Sequence, residues 1–215
     1  EMIITLDLCL REGSFSIING LNLHIQKGEF VSLCGQAGAG KTSLLRVFAL
    51  QKLPADGTVI IDGVDIADIK KNSLVAFRRN LGVLFPENHL LPHRTLAENI
   101  DISLELIGWK AADARKETGQ YLREIGLLGK ASLFPNQISE NERQLLKLCR
   151  ALARRPRIIL ADEPYEGLDW QSVEKADYLF QRAQLRGSTI VVATHHVDFA
   201  QKLGKRIIIL DQDSL

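Results

Sequence analysis

Short apolar runs of strand length alternate along the chain with longer stretches in which apolar residues recur every three or four positions. This alternation predicts an α/β fold, a P-loop-type core with a mostly parallel sheet. Strands are expected at residues 2–8, 17–25, 30–34, 58–61, 81–85, 157–161, 189–193 and 206–210. The first two, and the run at 58–61 between turn-rich neighbours, are expected to form an antiparallel flank. Between Arg94 and Arg154 the texture changes to helix periods without a convincing strand. Thr95 with Glu98 forms a capping box at the start of one helix, residues 111–125 make a second, and Ser139 opens a third that runs to Ala153. A helical subdomain spanning 87–154 is therefore expected within a core made of 1–86 and 155–215, all in one domain.

Composition narrows the function classes. A chain of 215 residues with 46% hydrophobic and 25% charged residues is ordinary for a soluble globular protein. A net charge of +1 gives no reason to expect a nucleic-acid partner, and the Arg154, Arg155, Arg157 cluster reads as a solvated helix end. No run reaches the roughly 18 apolar residues of a membrane span, and the N-terminus carries no secretory pattern. Contact with a membrane is therefore expected only through a partner. Cys9, Cys34 and Cys149 are scattered in apolar segments and read as buried thiols in a reducing compartment, which predicts a cytoplasmic location.

Gly35, Gln36, Ala37, Gly38, Ala39, Gly40, Lys41 and Thr42 read GxxxxGKT, between an apolar strand and the helical stretch that Ser43 begins. In that setting glycines let backbone N–H groups wrap phosphates, Lys41 supplies a point charge and the Thr42 hydroxyl can ligate Mg²⁺. A nucleoside triphosphate, with ATP and Mg²⁺ as the expected ligands, is the implied occupant. The apolar strand at 157–161 ends in Asp162 and Glu163, so two carboxylates reach the strand's carboxyl end, where open α/β sheets bind ligands. Asp162 is suited to hold Mg²⁺ and Glu163 to polarise the attacking water. His195 follows another apolar strand and falls at the same sheet edge.

These motifs, in the order P-loop, helical insert, Leu160-Ala161-Asp162-Glu163-Pro164, Gly167-Leu168-Asp169 and Ala193-Thr194-His195, resemble the ATP-binding subunit of ABC transporters over essentially the whole chain. Within that family, Leu81 to Phe85, Leu90-Leu91, Arg94-Thr95 and Glu98-Asn99 are similar to the short stand-alone subunits of the FtsE, LolD and MacB type, with the MlaF type a weaker match. The resemblance implies that Glu163 is the catalytic base, that His195 contacts the γ-phosphate and that Asp169 lies in the loop joining two subunits. It implies a head-to-tail dimer, with itself or a paralogue, in which one subunit's P-loop faces the other's LSGGE signature helix. It also implies an integral membrane, permease-like partner that holds the chain at the inner face of the cell membrane. Residues 87–100, with Leu90, Leu91 and Leu96, lie where the family's subunits receive a helix from that partner. The same leucines can equally anchor the insert to the core.

Three positions depart from the family pattern. Ser139-Glu140-Asn141-Glu142 keeps the serine and last acid of the signature but lacks both glycines. At ~5 Å and an effective dielectric of about 20, Glu140 against one phosphate charge costs about 3 kcal/mol, more than a helix terminus returns. Pro86 stands where the family has a glutamine that ligates Mg²⁺ and water, and neighbouring Glu87 is a substitute candidate. Glu12 stands in the slot of the adenine-stacking aromatic, with Phe15 as the alternative ring unless it is core. Two functions follow: an attenuated ATPase that drives a membrane partner, or a nucleotide-binding regulatory subunit with little hydrolysis. A kinase or GTPase on the same loop leaves Asp162, Glu163 and His195 together without an explanation.

Overall fold

A computed structural model describes residues 1–202 and 206–210; the end of the expected core segment, 211–215, lies outside the described residues. Among the described residues, nine strands fall into two sheets. Strands β3 (Phe30–Cys34), β6 (Leu81–Leu84), β7 (Ile158–Asp162), β8 (Thr189–Thr194) and β9 (Arg206–Ile209) form a parallel sheet in the order β6-β7-β8-β3-β9. Strands β1 (Ile3–Glu12), β2 (Phe15–Ile25), β4 (Asp56–Ile61) and β5 (Val64–Asp65) form an antiparallel sheet in the order β2-β1-β4-β5.

The central strands β3, β7 and β8 are buried at every position, as expected of parallel strands covered on both faces. Their period-two alternation divides the interior. Phe30, Ile159, Ala161, Ile190 and Val192 point into one apolar cluster, while Val31, Leu33, Leu160, Val191 and Ala193 point into the other. The second cluster contains helix α1 (Lys41–Phe48) and the inner face of the antiparallel sheet. The first contains helices α3 (Leu96–Glu105), α4 (Ala111–Glu124), α5 (Glu140–Ala153) and α6 (Trp170–Leu185).

The three helices expected between Arg94 and Arg154 are present, and both capping boxes form: Thr95 with Glu98 on α3, and Ser139 with Glu142 on α5. Several elements go beyond the sequence reading. Helix α2 (Lys71–Arg78) has no fully buried residue; its apolar stripe is short, with Leu74 and Phe77 packed partly buried against the second cluster. Helix α6 carries a longer one, with Val173, Ala176, Phe180 and Ala183 buried on a single face. Strand β1 runs four residues past its expected end, through register shifts and a positive φ of 47° at Asp7 that interrupt the alternation. Of the cysteines, Cys34 and Cys149 are buried, whereas Cys9 is only half-buried.

The leucines of segment 87–100 divide. Leu90 and Leu96 are buried in the cluster shared with α3 to α6, while Leu91 is 38% exposed. Asn99, fully buried, pins the preceding loop: its Oδ1 accepts from Leu91 N at 2.7 Å, and its Nδ2 lies 2.9–3.1 Å from the carbonyls of Leu91, Arg94 and Thr95. Leu90 and Leu96 are therefore anchors. Truncation of Leu96 to alanine is expected to cost about 3 kcal/mol of unfolding free energy, and of Leu91 less than about 1 kcal/mol, measured by urea denaturation.

Candidate nucleotide-binding site

The glycine loop joins the carboxyl end of β3 to α1. Gly38 and Gly40 hold φ of 85° and 87°, which a side chain disfavours, and a Cβ on Gly40 would lie 2.6 Å from Ile17 Cγ2. Gly40 is the N-cap of α1 and offers no side-chain bond, so the first-turn amides lack a capping side chain. Those amides and the positive end of the helix face a cleft of about 520 Å³. Lys41 is buried, and its Nζ donates to the carbonyl oxygens of Gly35 at 2.7 Å and Gln36 at 3.0 Å. The ammonium thereby fixes the curvature of its own loop. Gln36, Ala37 and Gly38 stay exposed at the rim, while Ala39 and Ser43 are buried.

Thr42 Oγ1 donates to Asp162 Oδ2 at 2.7 Å. Burial pushes the Asp162 carboxyl above its ordinary pKa, and the bond from Thr42 opposes that shift. Glu163, at φ 45°, donates its amide to Ala193 O at 2.9 Å. Its Oε1 accepts from the His195 amide at 2.8 Å and lies 2.8 Å from His195 Nδ1. Lys41, Thr42, Ser43, Asp162, Glu163 and His195 thus line one cleft, as the sequence reading expected. Behind the loop, burial raises the Cys34 thiol.

Other expected residues lie elsewhere. Phe15 is at the tip of the β1-β2 hairpin, 78% exposed, neither in the core nor among the residues lining the cleft. Ile17 and Glu12 do line it, and Ser43 Oγ is 3.2 Å from Glu12 Oε1. Pro86 lines the cleft, whereas Glu87 does not; its carboxylate is 3.0 Å from Arg46 Nη2.

Ser139, Glu140, Asn141, Glu142 and Asp169 gather in a separate cluster at the starts of α5 and α6. Ser139 Oγ accepts from Glu142 N at 3.2 Å, and Glu142 accepts from Ser139 N at 2.9 Å. The Lys130 ammonium, 2.7 Å away, is the largest influence holding the Glu142 carboxyl below its usual range. Asn141 Nδ2 donates to Asp169 Oδ2 at 2.8 Å. Asp169 caps α6 by accepting from Ser172 N at 2.8 Å, which lowers its pKa. The bare charge expected at Glu140 is corrected by Arg143, whose Nη2 lies 2.6 Å from Glu140 Oε2 and whose Nη1 donates to Ile138 O at 2.7 Å. The i,i+3 spacing of Glu140 and Arg143 carried that signal in the sequence.

A parallel sheet whose strand-to-helix loop carries these glycines, a lysine and a threonine, with two carboxylates at the carboxyl end of β7, defines a P-loop nucleoside triphosphatase core. Residues 18–166 match the ABC transporter family, and the chain belongs to that family as an ATP-binding subunit. It is 37% identical over 201 residues to the lipoprotein-releasing system ATP-binding protein LolD of Bacteroides thetaiotaomicron, covering 93% of this chain and 92% of the relative. Over 203 residues it is 34% identical to the cell division ATP-binding protein FtsE of Escherichia coli, covering 94% and 91%. Among solved structures, the dimeric ATP-binding cassette MJ0796 in a post-hydrolysis state bound to ADP and Pi superposes with a TM-score of 0.87. That match has 32% identity and covers 98% of this chain and 94% of the other.

The raised Asp162 carboxyl has a stability consequence. Because the folded form holds its proton to higher pH than the unfolded chain, this group's contribution falls as pH rises from the ordinary carboxylate range through the raised value. Asp162→Asn without nucleotide is expected to melt higher than the native chain at pH 7, and the gap should close in acid. Calorimetry across that pH range checks it.

Proposed function

We propose that this chain binds MgATP in the cleft above the P-loop, closes as a head-to-tail dimer with a second ATP-binding subunit, and transmits that closure to an integral membrane partner while hydrolysing ATP slowly. The single observation that carries the reading is the contact of Glu163 with His195 at the edge of the same cleft as Lys41, Thr42 and Asp162.

In this reading, residues 35–43 grip the phosphates through backbone amides and the Lys41 ammonium, and Phe15 is available to the base. Thr42 and Asp162 present a hydroxyl and a carboxylate oxygen 2.7 Å apart, hard ligands that suit Mg²⁺. Among the described residues no group of three His, Cys, Asp or Glu side chains is placed to hold a metal. A bound Mg²⁺ would be held by Thr42 and Asp162 and would offset phosphate charge. Glu163 accepts the proton of a water attacking the γ-phosphorus, releasing ADP and phosphate, and His195 steadies that carboxylate through Nδ1 while remaining beside the γ-phosphate. Residues 87–154 form the helical subdomain that carries the signature segment. Ser139 to Glu142 meet the other subunit's nucleotide, and Asp169 sits in the joining loop.

Slow turnover follows from three residues. Pro86 supplies neither a side-chain oxygen nor an N–H. Asn141 brings a side chain to a helix start where a phosphate needs bare backbone, and Glu140 keeps its carboxylate there even when Arg143 screens it. No helix among the described residues is long and apolar enough to cross a membrane. Attachment to the inner face of the cell membrane accordingly runs through the partner. The second reading, a regulatory nucleotide-binding subunit with negligible hydrolysis, draws on Pro86 and on the tie between Asn141 and Asp169.

Steady-state phosphate release separates the two, with Glu163→Gln as the blank. The native chain is expected at least about tenfold above that blank; equal rates leave only the regulatory reading. Replacing Glu140 and Asn141 together by glycine is expected to raise turnover several-fold, and an unchanged rate would clear the signature segment of limiting it.

A further inference from the structure

The structure assigns a second ligand site, for a small molecule that carries a phosphate dianion, to a cavity at the amino ends of β7 and β8. Arg157 and Ser188, which stand just before these strands, line it. The nucleotide cleft lies at the opposite ends, and the five residues of β7 separate Arg157 from Asp162 by ~16 Å.

The cavity holds about 460 Å³, the size of a small-ligand pocket. The cluster of Arg154, Arg155 and Arg157, expected from the sequence to be a solvated helix end, is divided by the fold. Arg154 lines a different cavity, and its Nη2 donates to Arg79 O at 3.0 Å. Arg155 and Arg157 line this one, joined by Arg186 from the end of α6. Glu117 on α4, only 6% exposed, accepts from Arg155 Nη2 at 2.8 Å and from Arg186 Nη1 at 3.3 Å, which holds two guanidinium groups at one carboxylate. Arg157 pairs with Asp62, which also has Lys27 Nζ at 3.2 Å.

Charge and geometry select the ligand. In these pairs Arg155, Arg157, Arg186 and Lys27 share the two carboxylates of Glu117 and Asp62, so two positive charges stay uncompensated. Each guanidinium carries five N–H donors, and the pairs engage one nitrogen of each. The side chains of Arg155 and Arg157 are about half open, and that of Arg186 one third. A planar carboxylate is satisfied by one such fork, whereas the tetrahedral oxygens of a phosphate accept from forks that arrive in different planes. Phosphate alone fills a fraction of the volume, and the rest takes the organic body of the ligand beside Tyr121 and Leu152.

Trp109 reports on the site, because the Arg155 guanidinium carbon lies 5.0 Å from its ring centre. With Trp170→Phe it is the single tryptophan. In that background the full chain is titrated with pyrophosphate, with glycerol 3-phosphate, and with phosphatidylcholine vesicles with and without phosphatidic acid. Both soluble phosphates are expected to change the fluorescence saturably at submillimolar concentration. Arg157→Gln and Arg186→Gln are each expected to weaken binding about tenfold, and Arg154→Gln to leave it unchanged. Arg157→Gln leaves Asp62 with Lys27, so it carries the test even if Arg186→Gln unsettles the buried Glu117. Lys41→Ala, expected to abolish nucleotide binding, should not move the titration, whether or not the native chain binds MgATP. No response from the native chain, an equal loss with Arg154→Gln, or a signal that disappears with Lys41→Ala overturns the second site. A response to phosphatidic acid vesicles without one to the soluble phosphates overturns the small-molecule assignment.

Discussion

The hydrogen bond from Thr42 to Asp162 is the joint on which the site depends, because it links the ends of two strands that do not touch. Strand β8 lies between β3 and β7, so the threonine after one and the aspartate closing the other meet only because parallel strands bring their carboxyl ends to a common edge. Glu163 and His195 complete the edge, tying β7 to β8 through the Ala193 carbonyl and the His195 amide. Full burial of the three strands makes this edge rigid. A slip of one residue in any of them would turn its apolar set away from its cluster and carry its polar end residue off the site.

The starts of α5 and α6 follow a different logic. Where the family pattern has two glycines, this chain has side chains that bind within the subunit: Glu140 to Arg143 and Asn141 to Asp169. Bare backbone is available to a neighbour's ligand at no cost, whereas a polar side chain already satisfied at home must be released first. In the proposed dimer, the two substitutions would exchange readiness for contact across the interface against order within one subunit.

How far the sequence disclosed this arrangement depended on how exclusively local pattern governed each part. The buried runs of β3, β7 and β8 and the glycine loop were legible because their constraints are local. The boxes Thr95/Glu98 and Ser139/Glu142 were legible for the same reason. Helix α2 was not, since eight residues with only Leu74 and Phe77 packed partly buried on the core give too short a stripe. Helix α6 carries a regular stripe, but its cap, Asp169, lies in the Gly167-Leu168-Asp169 motif, whose resemblance points to a joining loop instead of a helix start. The extension of β1 to Glu12 was hidden by its shifted register. Phe15 was identified as a candidate ring, but its exposure depends on where the hairpin ends, which no local signal sets. The neutralisation of Glu140 by Arg143 was present in the spacing and had gone unread.

Five described non-glycine residues hold a positive φ, and Glu163 is the one of them that lines the cleft. Glu163 occupies the left-handed region at φ 45°, where a β-carbon costs on the order of 1 kcal/mol and glycine sits without penalty. Pressure for thermal robustness alone would drift this position towards glycine. What the strained backbone gains in exchange is an acceptor at the cleft edge, 2.8 Å from His195 Nδ1, which glycine would not supply.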